Sequence, residues 1–127
     1  MSKILINSIL KTDEYNHSIV NNNINGLYHD NKIIYNDGNI KVTLLLEDNK
    51  IEMKRETKEY EIKMLFDTNI ETNGTYNIYD LNIIMNLRVE TKKLVINNNI
   101  IVIMYSLKIN NEFIGNYDLK LEYEVLQ

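Results

Sequence analysis

The chain contains no cysteine, no proline and no tryptophan, and it has four glycines among 127 residues. Without cysteine there can be no disulfide, no thiolate nucleophile and no cysteine-ligated zinc site. Without proline, the turns must be made by asparagine, aspartate and glycine. A chain of this length is expected to form one domain, residues 1–127, and to bury a core large enough to fold without disulfides or metal.

Long apolar runs and clusters of basic residues are also absent. The apolar run at Ile4–Ile6 is broken by Asn7 and Ser8, so it is too short for a secretory signal or a membrane span. The net charge is −4, and the lysines and arginines are scattered along the chain. Because binding to phosphate backbones needs clustered cations, we expect no nucleic acid as a partner. Because neither a signal nor a span is found, we expect a cytoplasmic protein with no membrane as a partner.

Apolar and polar residues alternate over most of the chain, which is typical of strands with one buried face. No window of ten or more residues favours helical spacing instead. The clearest apolar faces are formed by every second residue of 40–46, 83–89, 101–109 and 117–125. The sequence therefore predicts an all-β protein of eight to ten strands joined by short loops, in a barrel or a sandwich.

The residues between these faces predict the turns and two irregularities. Asp37-Gly38 is a strong hairpin signal, and short stretches rich in asparagine separate several other faces. Gly74 keeps the parity of the residues around it, which favours a bend inside a strand over a turn. The apolar parity switches at Thr91-Lys92-Lys93, which predicts a bulge or a corner there.

Arg55 is the clearest exception to the alternation of polar and apolar faces. It shares a face with Ile51 and Met53 and so points toward the predicted interior. An unpaired buried charge costs several kcal/mol, so the guanidinium needs acceptors, and Asp37, one hairpin away, is the expected partner. Arg55 either anchors an anionic group of a ligand or closes one end of the barrel in a structural ion pair.

Other polar side chains share the inward parity with Arg55 and Asp37. They include Thr72, Tyr76, Tyr105 and Tyr117, in a chain with nine tyrosines and two phenylalanines. Because tyrosine combines an apolar ring with one hydroxyl, it suits a pocket that orients a ligand. Cross-strand packing of the rings is the alternative. The predicted ligand-binding residues are Arg55, Asp37, Tyr76, Tyr105 and Thr72.

The residues give no catalytic or metal-binding constellation. His17 and His29 lie in polar stretches without the spacing of metal ligands. Asn25-Gly26 is not part of a phosphate-binding glycine motif. Apart from Asp37, the acidic residues of the clear strands fall on polar faces, so no pair of carboxylates can be placed for acid–base work. We expect no enzyme activity, no metal site and no cofactor.

A series of short motifs runs through most of the chain. In order, they are Gly26-Leu27-Tyr28, Tyr35-Asn36-Asp37, Lys41-Val42-Thr43-Leu44, Met53-Lys54-Arg55, Met64-Leu65-Phe66, Tyr76, Thr91-Lys92-Lys93-Leu94 and Ile103-Met104-Tyr105. The series resembles the YwiB-like family of bacterial proteins of unknown function. The glycines that this family usually has after Arg55 and after Tyr76 are missing. The resemblance implies a single antiparallel calycin-like, lipocalin-type β-barrel.

Two functions are compatible with such a barrel. The first is binding of a small molecule in the barrel interior, as many calycins do, although a fold-level analogy does not establish function. The alternative is a structural or interaction protein that forms a homodimer or binds a partner without any ligand. That alternative depends on a second apolar stripe on the outward parity, formed by Leu45, Leu65, Val102 and Met104.

Overall fold

The alternating pattern corresponds to ten antiparallel strands. The computed structural model describes residues 1–13 and 17–126. The strands are β1 (Ser2–Thr12), β2 (His17–His29), β3 (Lys32–Asp37), β4 (Ile40–Glu47), β5 (Lys50–Glu56), β6 (Tyr60–Asp67), β7 (Thr72–Ile78), β8 (Ile83–Asn97), β9 (Ile100–Ile109) and β10 (Glu112–Val125). The described residues include no helix that could cross a membrane.

Each strand pairs with the next along the chain, and the last pairs with the first. β1 and β10 are antiparallel over nine residue pairs, from Ile4 opposite Val125 to Thr12 opposite Tyr117. The ten strands therefore close into one barrel. Closure gives strands β1 and β10 a partner on both sides, which removes the exposed edges of an open sheet. The prediction of an all-β, closed antiparallel barrel of eight to ten strands is confirmed.

The core lies inside the barrel and is made by the inward residues of the strands. Aliphatic side chains fill most of it, and Phe66 is its largest fully buried residue. The buried apolar residues are Ile4, Ile6, Ile33, Tyr35, Val42, Leu44, Ile51, Met53, Met64, Phe66, Leu87, Val89, Ile101, Ile103, Tyr105, Leu119 and Leu121. Their burial is the main contribution to stability, since each large side chain contributes about 1.5–3 kcal/mol on leaving water.

Asparagine makes the tight turns that a chain without proline and with few glycines would otherwise lack. The hairpin turns Asp30-Asn31, Asn98-Asn99 and Asn110-Asn111 have positive φ at both residues, between 48° and 68°. Two-residue hairpins of type I′ need this conformation because it matches the twist of the strands. Asparagine adopts positive φ more readily than other residues with a side chain.

The change of parity at Thr91-Lys92-Lys93 is a β-bulge, as predicted. Thr91 lies opposite Tyr105 and Lys93 lies opposite Met104, so Lys92 is the extra residue in β8. Two further register shifts were not predicted. One places Asn22 and Asn23 of β2 opposite Asn7, and the Asn23 N–H donates to Asn7 Oδ1 at 2.8 Å. The other lies in β10 between Phe113 and Gly115.

Gly38 and Gly74 occupy their positions for different structural reasons. Gly38 has φ +61° and forms the β3–β4 turn with Asn39, so Asp37 ends β3 instead of lying in the turn as predicted. Gly74 lies within β7, as the parity indicated. A Cβ atom at Gly74 would lie 2.3 Å from the Lys63 carbonyl oxygen, so only glycine permits this close approach of β7 to β6.

Thr57 forms the β5–β6 turn without the glycine that the family motif usually has after Arg55. Its hydroxyl accepts the N–H groups of Glu59, at 3.0 Å, and of Tyr60, at 3.2 Å. Its own N–H donates to the Tyr60 carbonyl oxygen at 2.9 Å. The side chain thus satisfies turn donors that would otherwise need water, which is a common role of threonine in turns.

The predicted apolar face at the start of β8 is only partly buried. Leu87 and Val89 are in the core, but Ile83 is 44% exposed. The reason is that β8 pairs with β9 only from Leu87 onward, whereas residues 83–86 pair with β7 alone. The first four residues of β8 therefore extend beyond the part of the sheet that is paired on both sides, and their apolar side chains reach solvent.

Candidate ligand site in the barrel interior

A cavity of about 110 Å³ lies inside the barrel, at the end where β3 and β5 terminate. We call it the Arg55 cavity. It is lined by Ser8, Leu10, Ile19, Asn21, Tyr35, Asp37, Met53, Arg55, Met64, Tyr105 and Leu119. The inward positions elsewhere in the barrel are mainly apolar, whereas here several of them are polar. The volume equals that of roughly four water molecules at ~30 Å³ each.

Arg55 and Asp37 meet at the mouth of the cavity, as the sequence predicted. Arg55 lies inward on β5 because it continues the face of Ile51 and Met53. Its Nη2 atom is 3.8 Å from Asp37 Oδ2, and the two side chains are 28% and 30% exposed. This separation is too long for a hydrogen bond, and no other described residue accepts from the guanidinium N–H groups, so they can serve a ligand acceptor.

Tyr35 and Tyr105 form the buried polar part of the cavity, and they are 7% and 6% exposed. The Tyr105 ring is fixed by Phe66, 4.8 Å away between centroids, and by a stacked contact with Tyr117 at 5.1 Å. No group within the described ranges forms a hydrogen bond with either hydroxyl. Since no described buried polar side-chain atom lacks a partner, both hydroxyls have access to the cavity and are available to a molecule in it.

Burial also changes the acidity of these two hydroxyls. It raises the pKa of Tyr105 to about 12, although the positive charge of Arg55 acts in the opposite direction. Burial raises the pKa of Tyr35 too, with Arg55 lowering it and Asp37 adding to the increase. Both tyrosines are therefore neutral near pH 7 and can each donate one hydrogen bond.

Ser8 and Asn21 complete the polar lining, and the sequence did not predict them. They lie opposite each other on β1 and β2, on the side of the bulge at Asn22-Asn23 that is closer to the cavity. Ile24 points inward, so regular alternation would also point residues 22 and 20 inward. The extra residue in β2 shifts this alternation by one position, so Asn21 points inward instead. The run of three asparagines was the available signal, since asparagine tolerates the positive φ of 57° that Asn23 adopts.

Apolar side chains form the remaining walls of the cavity. Met53 and Met64 lie opposite each other on β5 and β6. Leu10, Ile19 and Leu119 contribute from β1, β2 and β10. Methionine adapts its shape readily because it is unbranched, so these walls can adjust around small molecules of different outline.

Two of the five predicted site residues do not line the cavity. Thr72 is buried on β7, and its hydroxyl donates to the Leu65 carbonyl oxygen and contacts that of Val89. Tyr76 lies at the same end of the barrel but packs against Tyr60, with centroids 5.6 Å apart. The structure thus brings together Arg55, Asp37 and Tyr105, and it gives Thr72 and Tyr76 packing and hydrogen-bonding roles.

Hydrogen-bond donors predominate in the described lining of the cavity. Arg55, Tyr35, Tyr105, Ser8 and Asn21 can all donate, although the hydroxyls and the Asn21 amide can also accept, and Asp37 is the one carboxylate among the described lining residues. Within residues 1–13 and 17–126, no three His, Cys, Asp or Glu side chains are grouped so as to hold a metal ion.

Comparison with known families and structures identifies what this barrel is related to. The family model described as "Domain of unknown function (DUF1934)" matches residues 6–121. The chain belongs to the DUF1934 family. Among the curated proteins, no match to the chain is found.

A solved structure supports the fold of this DUF1934 domain. It is the crystal structure of the ywiB protein from Bacillus subtilis, which matches with a TM-score of 0.64 at 13% sequence identity. The match covers 98% of this chain and 91% of the other. The YwiB-like resemblance drawn from the ordered motifs is thereby confirmed. At this identity the likeness shows the fold, and the function has to be argued from the residues.

Proposed function

We propose that this DUF1934 domain binds a small polar molecule in the interior of its barrel, at the Arg55 cavity. One observation carries the proposal: the Arg55 guanidinium and the hydroxyls of two largely buried tyrosines converge on a cavity open to solvent, and no described residue forms a hydrogen bond with them. A ligand that accepts from these donors would replace water at them, and hydrogen bonds that involve a charged group such as the guanidinium are the stronger ones.

The size of the cavity limits what can bind. Pockets for drug-sized ligands usually measure about 300–1,000 Å³. A cavity of about 110 Å³ suits a molecule of a few non-hydrogen atoms instead. The large apolar ligands of lipocalin-type barrels are therefore not part of the proposal.

The proposal is for binding without catalysis. Acid–base chemistry needs two groups that exchange protons with the substrate, and Asp37 is the only carboxylate among the described lining residues.

The homodimer that the sequence offered as the alternative has less support. Of its four stripe residues, Met104 is 37% exposed, whereas Leu45, Leu65 and Val102 are half-buried.

A thermal-shift screen tests the proposal. The panel contains short carboxylates, amino acids, amides, amines and inorganic anions, and the proteins are wild type, Arg55→Met and Arg88→Met. Arg88 is the matched control because it is the other arginine and pairs on the outer surface with Glu71 at 3.2 Å. A ligand at 100 times its Kd stabilises by about 2.7 kcal/mol, which raises Tm by roughly 10 °C.

We expect at least one compound to raise the Tm of wild type and Arg88→Met but not that of Arg55→Met. A panel without any Arg55-dependent shift, together with a bare mass in native mass spectrometry of gently purified protein, would contradict ligand binding in the cavity.

A further inference from the structure

We infer that the ligand of the Arg55 cavity is a short-chain monocarboxylate, and that Asp37 weakens its binding by competing for Arg55. This inference rests on the proposed function and adds the chemical class of the ligand. It depends on three properties of the cavity: its balance of donors and acceptors, its charge, and its apolar walls.

The balance of hydrogen-bonding groups favours a ligand that accepts. The Arg55 guanidinium offers a planar fork of N–H donors, whose geometry matches the two oxygens of a carboxylate. The hydroxyls of Tyr35 and Tyr105 lie deeper in the same cavity and add one donor each. A carboxylate at this place could accept from all three side chains, whereas an ammonium group could only donate to the two hydroxyls and would be repelled by the positive charge of Arg55.

The ion pair between Arg55 and Asp37 leaves the guanidinium accessible to a ligand carboxylate. Arg55 Nη2 and Asp37 Oδ2 are 3.8 Å apart and form no direct hydrogen bond. A ligand carboxylate would therefore gain hydrogen bonds that Asp37 does not make. It would also bring a second negative charge close to Asp37, and like charges at short range repel. Asp37 should thus lower the affinity without abolishing binding.

The walls and the volume specify the rest of the ligand. Met53, Met64 and Leu119 offer apolar contacts beside the polar groups, which suits an aliphatic chain. A volume of about 110 Å³ has room for a carboxylate of two or three carbons in total, judged against ~30 Å³ per water molecule. Inorganic phosphate would leave the apolar walls without contacts.

Isothermal titration calorimetry with three molecules of similar shape tests the class. Propionate carries the negative charge, propionamide is its neutral counterpart, and propylammonium carries a positive charge. We expect propionate to bind and the other two not to bind. For a ligand of five non-hydrogen atoms the Kd is expected to be no tighter than about 3 µM. Acetate should also bind, octanoate should not bind, and inorganic phosphate should bind more weakly than propionate.

Variants of the two charged residues test the roles of Arg55 and Asp37. Arg55→Met should abolish propionate binding, and Arg55→Lys should retain part of it, because lysine keeps the charge but lacks the planar fork. Asp37→Asn should tighten binding by about tenfold, since it removes the competing charge and keeps the shape. The outer-surface variant Arg88→Met should bind propionate like wild type.

The outcomes separate the inference from the proposed function. If an Arg55-dependent ligand emerges from the thermal-shift panel but propionate does not bind, the carboxylate class is wrong and the interior site stands. Tighter binding of propionamide, propylammonium or phosphate than of propionate would also overturn the class. Equal or weaker affinity in Asp37→Asn would overturn the competing role of Asp37. If no compound binds in an Arg55-dependent way, both proposals are wrong.

Discussion

Arg55 is held loosely for a charged residue on the inner face of a barrel. Its guanidinium lies at the mouth, 28% exposed, with Asp37 at 3.8 Å and water within reach. Solvent reduces both the cost of burying the charge and the strength of the ion pair. The residue is therefore placed where a ligand can use its charge, while the fold depends little on it.

Replacing Arg55 by methionine should change stability very little. We expect Arg55→Met to alter the free energy of unfolding by less than about 1 kcal/mol, because partly exposed ion pairs contribute about that much or less. Urea denaturation of wild type and variant gives the difference. A loss of about 3 kcal/mol would show that Asp37 is left as an unpaired buried charge and that the pair closes the barrel.

Tyr105 should make the protein less stable in strong alkali. Its pKa is about 12 in the folded state against an ordinary value of 10.0, so the unfolded chain loses this proton first as pH rises. Stability is thus fully present below pH 10 and decreases between pH 10 and 12, by up to about 1.4 kcal/mol per pH unit. Burial of Tyr35, whose pKa is also raised, adds a decrease of the same sign.

Urea unfolding at several pH values from 9 to 12 measures this slope. Tyr105→Phe should make the slope shallower, because phenylalanine has no proton to lose. An unchanged slope in Tyr105→Phe would mean that the Tyr105 hydroxyl is not buried in the way described.

The residues of the site were predictable only where the strand pattern is regular. Arg55 and Asp37 could be placed together because both follow unbroken alternation from well-defined strands. Asn21 could not, because a bulge at Asn22-Asn23 changes the parity of β2, whereas Ser8 keeps the parity of Ile4 and Ile6 in β1 and was missed. Parity also says which face a side chain takes but not what it contacts. Tyr76 therefore shared the inward face with Arg55 and still packs against Tyr60.

At the level of the strands, the bulge at Lys92 has a structural function beyond changing parity. β6 and β7 pair only over residues 60–63 and 75–78, so the end of β6 leaves β7. There, the Asp67 N–H donates to the hydroxyl of Thr91, at 3.2 Å. Thr91 is the residue just before the extra one, and it is buried. The bulge therefore supplies an acceptor for the Asp67 N–H on the side of β6 where the pairing with β7 has ended.

Removing the Thr91 hydroxyl should destabilise this corner. Thr91→Val keeps the side-chain volume but leaves the Asp67 N–H without its acceptor, which costs about 1–3 kcal/mol for a buried group. Urea denaturation should show this loss, and the Asp67 amide should exchange with deuterium faster. Thr43→Val, on the outward face of β4, is the matched control and should stay within about 0.5 kcal/mol of wild type. Equal effects of the two variants would contradict the account.

The two glycines should respond differently to substitution, because one needs space and the other needs backbone freedom. Gly74→Ala forces a Cβ atom against the Lys63 carbonyl, at 2.3 Å, and should cost about 2 kcal/mol or more. Gly38→Asn should stay within about 0.5 kcal/mol, because nothing lies near its Cβ position and asparagine tolerates φ +61°. Thermal or urea unfolding of both variants gives the comparison. A neutral Gly74→Ala would show that β6 and β7 are not in close contact there.

For the whole molecule, the sequence was sufficient to predict the strand count and the all-β class, since alternation and asparagine turns recur along the chain. Closure was not visible in the residues themselves and came from the family resemblance. The pairing of β1 with β10 joins residues more than 100 positions apart, and no local pattern encodes such a pairing. The volume left inside depends on how all ten inward faces pack together, so the cavity could not be predicted either.

The measurement that tests the central claim most directly is methyl NMR of ¹³C-methyl-labelled methionine. Met53 and Met64 line the Arg55 cavity, and Met104 is on the outer face, so the chain contains its own control. Propionate and every compound that raises Tm in the panel are titrated into wild type, Arg55→Met and Arg88→Met. We predict that the Met53 and Met64 signals shift in wild type and Arg88→Met but not in Arg55→Met, while the Met104 signal stays unchanged. Titrations that leave Met53 and Met64 unmoved, or that move Met104 alone, would contradict a ligand site in the interior of the barrel.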